Sequence, residues 1–149
     1  MKFVKNTEMI KLLRGSYNNS KHFMWQELHE RVIILTDTRI FWFDKSQELI
    51  DYLFTFCPSM PLPDNIIQEL LKRECTENID YSPALIEDGF FILKDIDGNI
   101  YPFDKKLIPN FFKKKGISYS LIIWDKNSHG MTVYDKEGKL SGIILGYRK

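Results

Sequence analysis

The chain has 149 residues, 44% of them hydrophobic and 14% aromatic, which is enough apolar material for one core and short for two full domains, so one compact domain over 1–149 is expected. A formal charge of +1 with 28% charged residues excludes a polyanionic nucleic-acid mimic and a disordered polyelectrolyte. Two cysteines are too few for a secreted disulfide scaffold, no charged-then-apolar leader opens the chain, and the longest apolar runs fall far below the roughly 20 residues of a membrane span. A cytoplasmic protein without a membrane partner is the expectation.

The segment 7–15, TEMIKLLRG, predicts a short helix with Thr7 as N-cap, Met9, Ile10, Leu12 and Leu13 as its apolar face, and Gly15 as its stop. KHFMWQELHE, 21–30, continues this as a second helix with Phe23, Met24 and Leu28 inward. From Arg31 the period changes: VIIL, TDT and RIFWFD spell two β-branched and aromatic strands around a tight turn. Asp44 is placed to cap SQELIDYLFTF, whose Leu49, Ile50, Leu53 and Phe54 form one helical face before Pro58 ends it. PLPDNIIQELLKREC comes next as a helix capped by Asp64, with Ile66, Ile67, Leu70 and Leu71 on one side.

Residues 76–88 are polar, carry Pro83 and predict a connector. FFIL and NIYPF make a second hairpin around DIDG, and Asp104 caps KKLIPNFFKKKG, a basic helix that Pro109 kinks and Gly116 ends. SYSLIIWD, MTVYD and LSGIILGYR close the chain as three strands joined by KNSHG and KEGK turns. The fold class is α+β: an antiparallel sheet of hairpins with helices packed on it, ending in a three-stranded meander.

Segments 32–54 and 90–112 align with nine of seventeen paired positions identical and two gaps. Both spell hairpin, Asp, helix, which marks candidate ββα half-repeats at about 31–57 and 89–116. Chance similarity in a composition rich in Ile, Phe, Asp and Lys is the competing account.

Motifs that carry chemistry are incomplete. KDIDGNIYPFD, 94–104, sets Asp95, Asp97, Ile100 and Asp104 at calcium-loop offsets from Gly98. Position 1 would then be Leu93, a strand precedes it where a helix should enter, and the last ligand is an Asp, so a hairpin turn explains the same residues better. The four aromatic-Asp-Lys triplets, with Asp44, Asp104, Asp125 and Asp135, sit where Asp serves caps and turns rather than a metal cluster. Glu137-Gly138-Lys139 with Asp125 is only a faint version of the acidic-x-Lys signature of restriction-type nucleases, and it reads as a hairpin tip. His22, His29 and His129 lack metal-ligand spacing, with His129 in a turn, and Cys57 and Cys75 read as buried, inert thiols. No catalytic residue, cofactor or metal site is expected.

Charge is asymmetric: residues 61–88 carry net −5 and 104–149 net +6. Lys105, Lys106, Lys113, Lys114 and Lys115 bracket Phe111 and Phe112 and, with Tyr119 and Trp124, are the candidate binding residues. An ordinary solvated lysine face with the two phenylalanines in the core competes with that reading. The expected function is a non-enzymatic protein-binding module, of the kind that phages and mobile elements use as inhibitors or antagonists of a host enzyme or defence system. The alternative is a nucleic-acid-binding accessory protein that uses the lysines for phosphates and Tyr101, Tyr119, Trp124 or Tyr134 for stacking.

Overall fold

A computed structural model of the chain describes residues 1–74, 83–87, 89–125 and 128–146, with backbone alone for 73–74, 83–87 and 124–125. Two compact units divide it, Met1–Thr76 and Glu77–Lys149.

In the first unit α1 spans Thr7–Asn19, about one turn past the glycine expected to end it. Asn6, not Thr7, is the N-cap, its Oδ1 accepting from the Met9 N–H at 2.9 Å. Gly15 stays helical because the chain after it is still held: the Ser20 N–H bonds the Ser16 carbonyl and the Asn19 side chain bonds that of Gly15. The predicted second helix is instead strand β1, Met24–Leu28. It pairs antiparallel with β2, Arg31–Leu35, which pairs in turn with β3, Arg39–Asp44. Tertiary pairing overrides local periodicity here: Met-Trp-Gln-Glu finds a partner in Val-Ile-Ile-Leu across a two-residue connection in which His29 takes φ +54°. His22 and His29 therefore share no helix face.

Helix α2, Gln47–Phe56, is capped by Ser46, whose hydroxyl accepts from Leu49 N–H at 3.2 Å. Asp44 cannot cap it, because it is still in the β3 ladder opposite Arg31, whose Nε lies 3.8 Å from its carboxylate. Leu49, Ile50, Tyr52 and Leu53 are buried, whereas Phe54, assigned to the buried face from sequence, is 66% exposed. Helix α3, Asp64–Glu74, has Asp64 in its first turn; the first carbonyl bonded is that of Pro63.

Val32, Ile33 and Ile34 are all fully buried, so both faces of the sheet are covered at β2. On one face Trp25 donates its indole N–H to the Cys57 carbonyl, Arg39 reaches Ser16 of α1, and Phe3 meets Phe43 and Tyr52. On the other, Gln26 accepts from the Leu62 N–H ahead of α3. Trp25 and Gln26 are successive residues and point to opposite faces, so the segment Cys57–Leu62, with Pro58 and Pro61, passes around the outer edge of β1 and shields it. Phe41, Trp42 and Phe43 are fully buried, each contributing about 1.5–3 kcal/mol relative to exposure.

In the second unit part of the expected connector is a strand: β4, Pro83–Glu87, pairs with β5, Phe90–Lys94, which pairs with β6, Ile100–Asp104. Pro83 is tolerated because it is the first strand residue, and Asp88-Gly89 in the sequence, with Gly89 at φ +82°, is the hairpin signal that the connector reading passed over. Residues 75–82 and 88 lie outside the described residues. Asp104 does cap the turn after β6, accepting from Lys106 N–H at 2.9 Å, but the expected basic helix is two 3-10 turns, Lys105–Leu107 and Asn110–Phe112. The cause is Pro109, which has no N–H and drives Ile108 to an extended φ −96°, ψ 107°.

The closing meander forms as expected from β7, Ser118–Asp125, β8, Ser128–Tyr134, and β9, Leu140–Leu145. It packs face to face on β4–β6 through Phe91 against Tyr119 and through Tyr101 and Phe103 against His129, with ring centroids 5.2–5.4 Å apart. His129 is thus a strand residue in a sheet-to-sheet contact rather than a turn residue.

The two candidate half-repeats share their hairpin and not their helix. Pairing runs from Arg31↔Asp44 to Leu35↔Ile40 in one and from Phe90↔Asp104 to Lys94↔Ile100 in the other. Lys45 N–H to Glu30 O at 2.8 Å has its counterpart in Lys105 N–H to Gly89 O at 2.9 Å. In this correspondence Val32 matches Phe91, one residue off the sequence alignment, and α2 stands where the second unit has 3-10 turns.

Candidate functional site

The lysines singled out from sequence fall on one short stretch of the second unit. Ile108, Phe111 and Phe112 are buried and anchor it, while Lys105, Lys106, Lys113, Lys114 and Lys115 are exposed. Gly116, at φ +90°, turns the chain back, and a Cβ there would lie 2.9 Å from Cγ of Lys136, so the Lys136 stem rests directly on that glycine. Its ammonium joins the three-lysine run from a different strand connection. Among the described residues none of these six lysines has an ion-pair partner, whereas Lys72 and Lys139 pair with Glu69 and Glu137. Six unneutralised ammoniums on an anchored frame attract any polyanionic surface at ranges up to about 8–10 Å in physiological salt.

Of the two aromatics proposed for binding, Tyr119 is not available as a stacking platform. Its hydroxyl donates to the Phe112 carbonyl, its ring packs on Phe91, and burial raises its pKa. It holds the lysine-bearing turn to the sheet. The Trp124 side chain lies outside the described residues, as do Cys75, Lys126 and Asn127.

The calcium-like loop is a turn held together by its own aspartate. Asp95 Oδ1 accepts from the N–H groups of Asp97 and Asn99, and Oδ2 from the Asn99 amide and the Tyr101 hydroxyl. The Asn99 side chain, first among these donors, draws the Asp95 pKa below the usual carboxylate range. Within this loop only Gly98 has positive φ. Asp135-Lys-Glu-Gly-Lys repeats the geometry: Asp135 Oδ1 accepts from Glu137 and Lys139 N–H, and Gly138 bonds back to Asp135 O with φ +80°. Glu137 and Lys139 therefore sit on an exposed tip, paired with each other at 3.8 Å. Among the described residues no three His, Cys, Asp or Glu side chains are placed to hold a metal ion, and no helix is long and apolar enough to cross a membrane.

Cys57 is fully buried, and that burial pushes its thiol up to about 11, well away from the range of a reactive thiolate. Sequence reasoning missed the cleft of the first unit. It measures about 600 Å³ between the end of α1, the lead into β1 and residues 58–60, with Tyr17, Lys21, Phe23, Met24 and Met60 on its walls. The available signal was Met60 itself, an apolar side chain held between Pro58 and Pro61, and it is 77% exposed.

Comparison with known proteins returns no match. No family model fits the chain, and no curated protein or solved structure is significantly similar to it.

Proposed function

We propose that this chain works by docking on the acidic surface of a partner protein, as a non-enzymatic binding module of the inhibitor or antagonist kind, and acts in the cytoplasm. The observation that carries this reading is the lysine face of the second unit. Lys105, Lys106, Lys113, Lys114, Lys115 and Lys136 have no neutralising partner among the described residues, while Phe111 and Phe112 beneath them are buried. Such a face steers encounter and sets register more than it sets affinity. Tyr119, hydrogen-bonded into the fold, does not offer the free aromatic platform that single-stranded nucleic acid calls for.

The test is charge reversal of Lys113, Lys114 and Lys115 to Glu, with capture of partners from lysate of a low-GC bacterium, the source class suggested by the Lys- and Ile-rich composition. Capture should fall at least tenfold, and should fall with salt in the unaltered chain. Capture unchanged by the triple substitution would refute the lysine face as the contact. Salt-sensitive binding of oligonucleotides with no protein captured would replace the reading by the nucleic-acid one.

A further inference from the structure

We propose that the cleft at the C-terminal end of α1 binds an acidic peptide segment of a partner protein that inserts one apolar side chain. The cleft shares no residue with the lysine face and is argued from the first unit alone. At about 600 Å³ it falls within the range of side-chain and small-ligand sites. Tyr17 and Phe23, stacked edge to face at 5.3 Å, form a stiff wall. Met24 and Met60 supply flexible thioethers that fit varied apolar shapes. Met60 is kept from folding onto the core because the strand-edge segment that carries it is tied at both ends, by Trp25 to Cys57 O at 3.0 Å and by Gln26 to Leu62 N–H at 3.0 Å.

The apolar side chains of the cleft are interleaved with Asn18, Ser20, His22 and Ser59, and Lys21 is the cation on its lining. Arg14, one turn before Tyr17 on α1 and outside that lining, holds its guanidinium 5.6 Å over the Phe56 ring. The acid beside the cleft, Asp37, is directed at the backbone, accepting the N–H groups of Lys21 at 2.8 Å and His22 at 3.0 Å. It fixes the segment and leaves the Lys21 ammonium without an ion pair among the described residues. At the end of α1 the Ser16 carbonyl accepts from Ser20 N–H and the Gly15 carbonyl from the Asn19 amide. An apolar side chain flanked by carboxylates complements both parts, whereas a basic peptide meets like charge and a phosphodiester has no side chain to fill the floor.

The probe is the hexapeptide acetyl-Glu-Asp-Leu-Phe-Asp-Glu-amide, titrated into the full chain labelled with ¹³C at the methionine methyls. There are five methionines; Met24 and Met60 line the cleft, while Met9 and Met131 are buried elsewhere and report on the fold. Saturable shifts at Met24 and Met60 are expected, weakened at least tenfold by Lys21→Glu and, read at Met24, by Met60→Ser. Both side chains are exposed, so neither change should move Met9 or Met131. Lys113→Glu/Lys114→Glu/Lys115→Glu should leave the titration unaltered, which separates failure of this site from failure of the lysine face. Absence of shifts at millimolar peptide, an equal response to the hexapeptide with Lys at its four acidic positions, or binding that survives both Lys21→Glu and Met60→Ser would overturn the proposal.

Discussion

Replacing Gly146 by Ala tests the packing of the second unit at its tightest point. A Cβ there would stand 2.1 Å from Nε2, 2.3 Å from Cδ2 and 2.8 Å from Cε1 of His129. Gly146 does not have positive φ, so the backbone itself accepts alanine and the cost is steric. Neither partner can yield freely. The Gly146 N–H is bonded to the His129 carbonyl at 2.9 Å, and the imidazole is wedged edge to face against Tyr101 and Phe103. Rotating the ring away forfeits two aromatic contacts of about 0.5–1.5 kcal/mol each, and leaving it in place overpacks the contact at a similar cost, so Gly146→Ala should destabilise by about 1–3 kcal/mol. In a His129→Ala background the same change should lie within about 0.5 kcal/mol of neutral, giving a coupling of about 2 kcal/mol. Native-state amide exchange at Thr132, Val133, Ile143 and Ile144 reads the stability of these strands locally, and urea unfolding by circular dichroism reads it globally. A loss below about 0.5 kcal/mol, or an equal loss with and without the imidazole, would refute the reasoning.

Asn6→Ala and Ser46→Ala should each cost about 1 kcal/mol in urea unfolding, whereas the exposed Thr7→Ala should be nearly neutral; a larger loss from Thr7 would restore it as the cap. Burial holds the Cys57 pKa near 11 and also raises that of Tyr52, so the folded first unit binds these protons more tightly than the unfolded chain. That stability is present in full below the unfolded thiol value near 9 and is lost as pH rises towards 11, about 2 kcal/mol for the thiol. Cys57→Ala in a Cys75→Ser background should flatten the alkaline part of the stability profile, and Cys57 should resist iodoacetamide at pH 8 until the chain unfolds; rapid native-state alkylation would contradict the burial. Calcium, magnesium and manganese should leave the melting temperature unchanged, because the Asp95 oxygens already accept four hydrogen bonds, and a clear upward shift would reopen the 94–104 loop as a cation site.

Several features were open to reading in one dimension because their causes are local. The 31–44 and 90–104 hairpins, the closing meander, helix α2 and the capping role of Asp104 arise from β-branched runs, turn residues and 3.6-residue periodicity. So did the exposed lysines and the buried Phe111 and Phe112, since a charge run beside an aromatic pair sorts by hydration alone. Errors fell where a distant partner overrode a local signal. Residues 24–28 have helix-compatible letters and became a strand because β2 offered a ladder, Asp44 looked like a cap and was retained in a strand opposite Arg31, and Pro109 cut a basic helix into two turns.

The amino-acid order by itself determined the α+β class, most strand boundaries and the charge that a partner would meet, because hydrophobic period and turn chemistry are properties of neighbours in sequence. The tertiary structure alone decided that Tyr119 is tied to Phe112, that His129 lies over Gly146, and that Tyr17, Lys21, Met24 and Met60 share one cleft. Those are relations between residues up to about forty positions apart, and their energies exist only once the chain has closed the loops that bring them into contact.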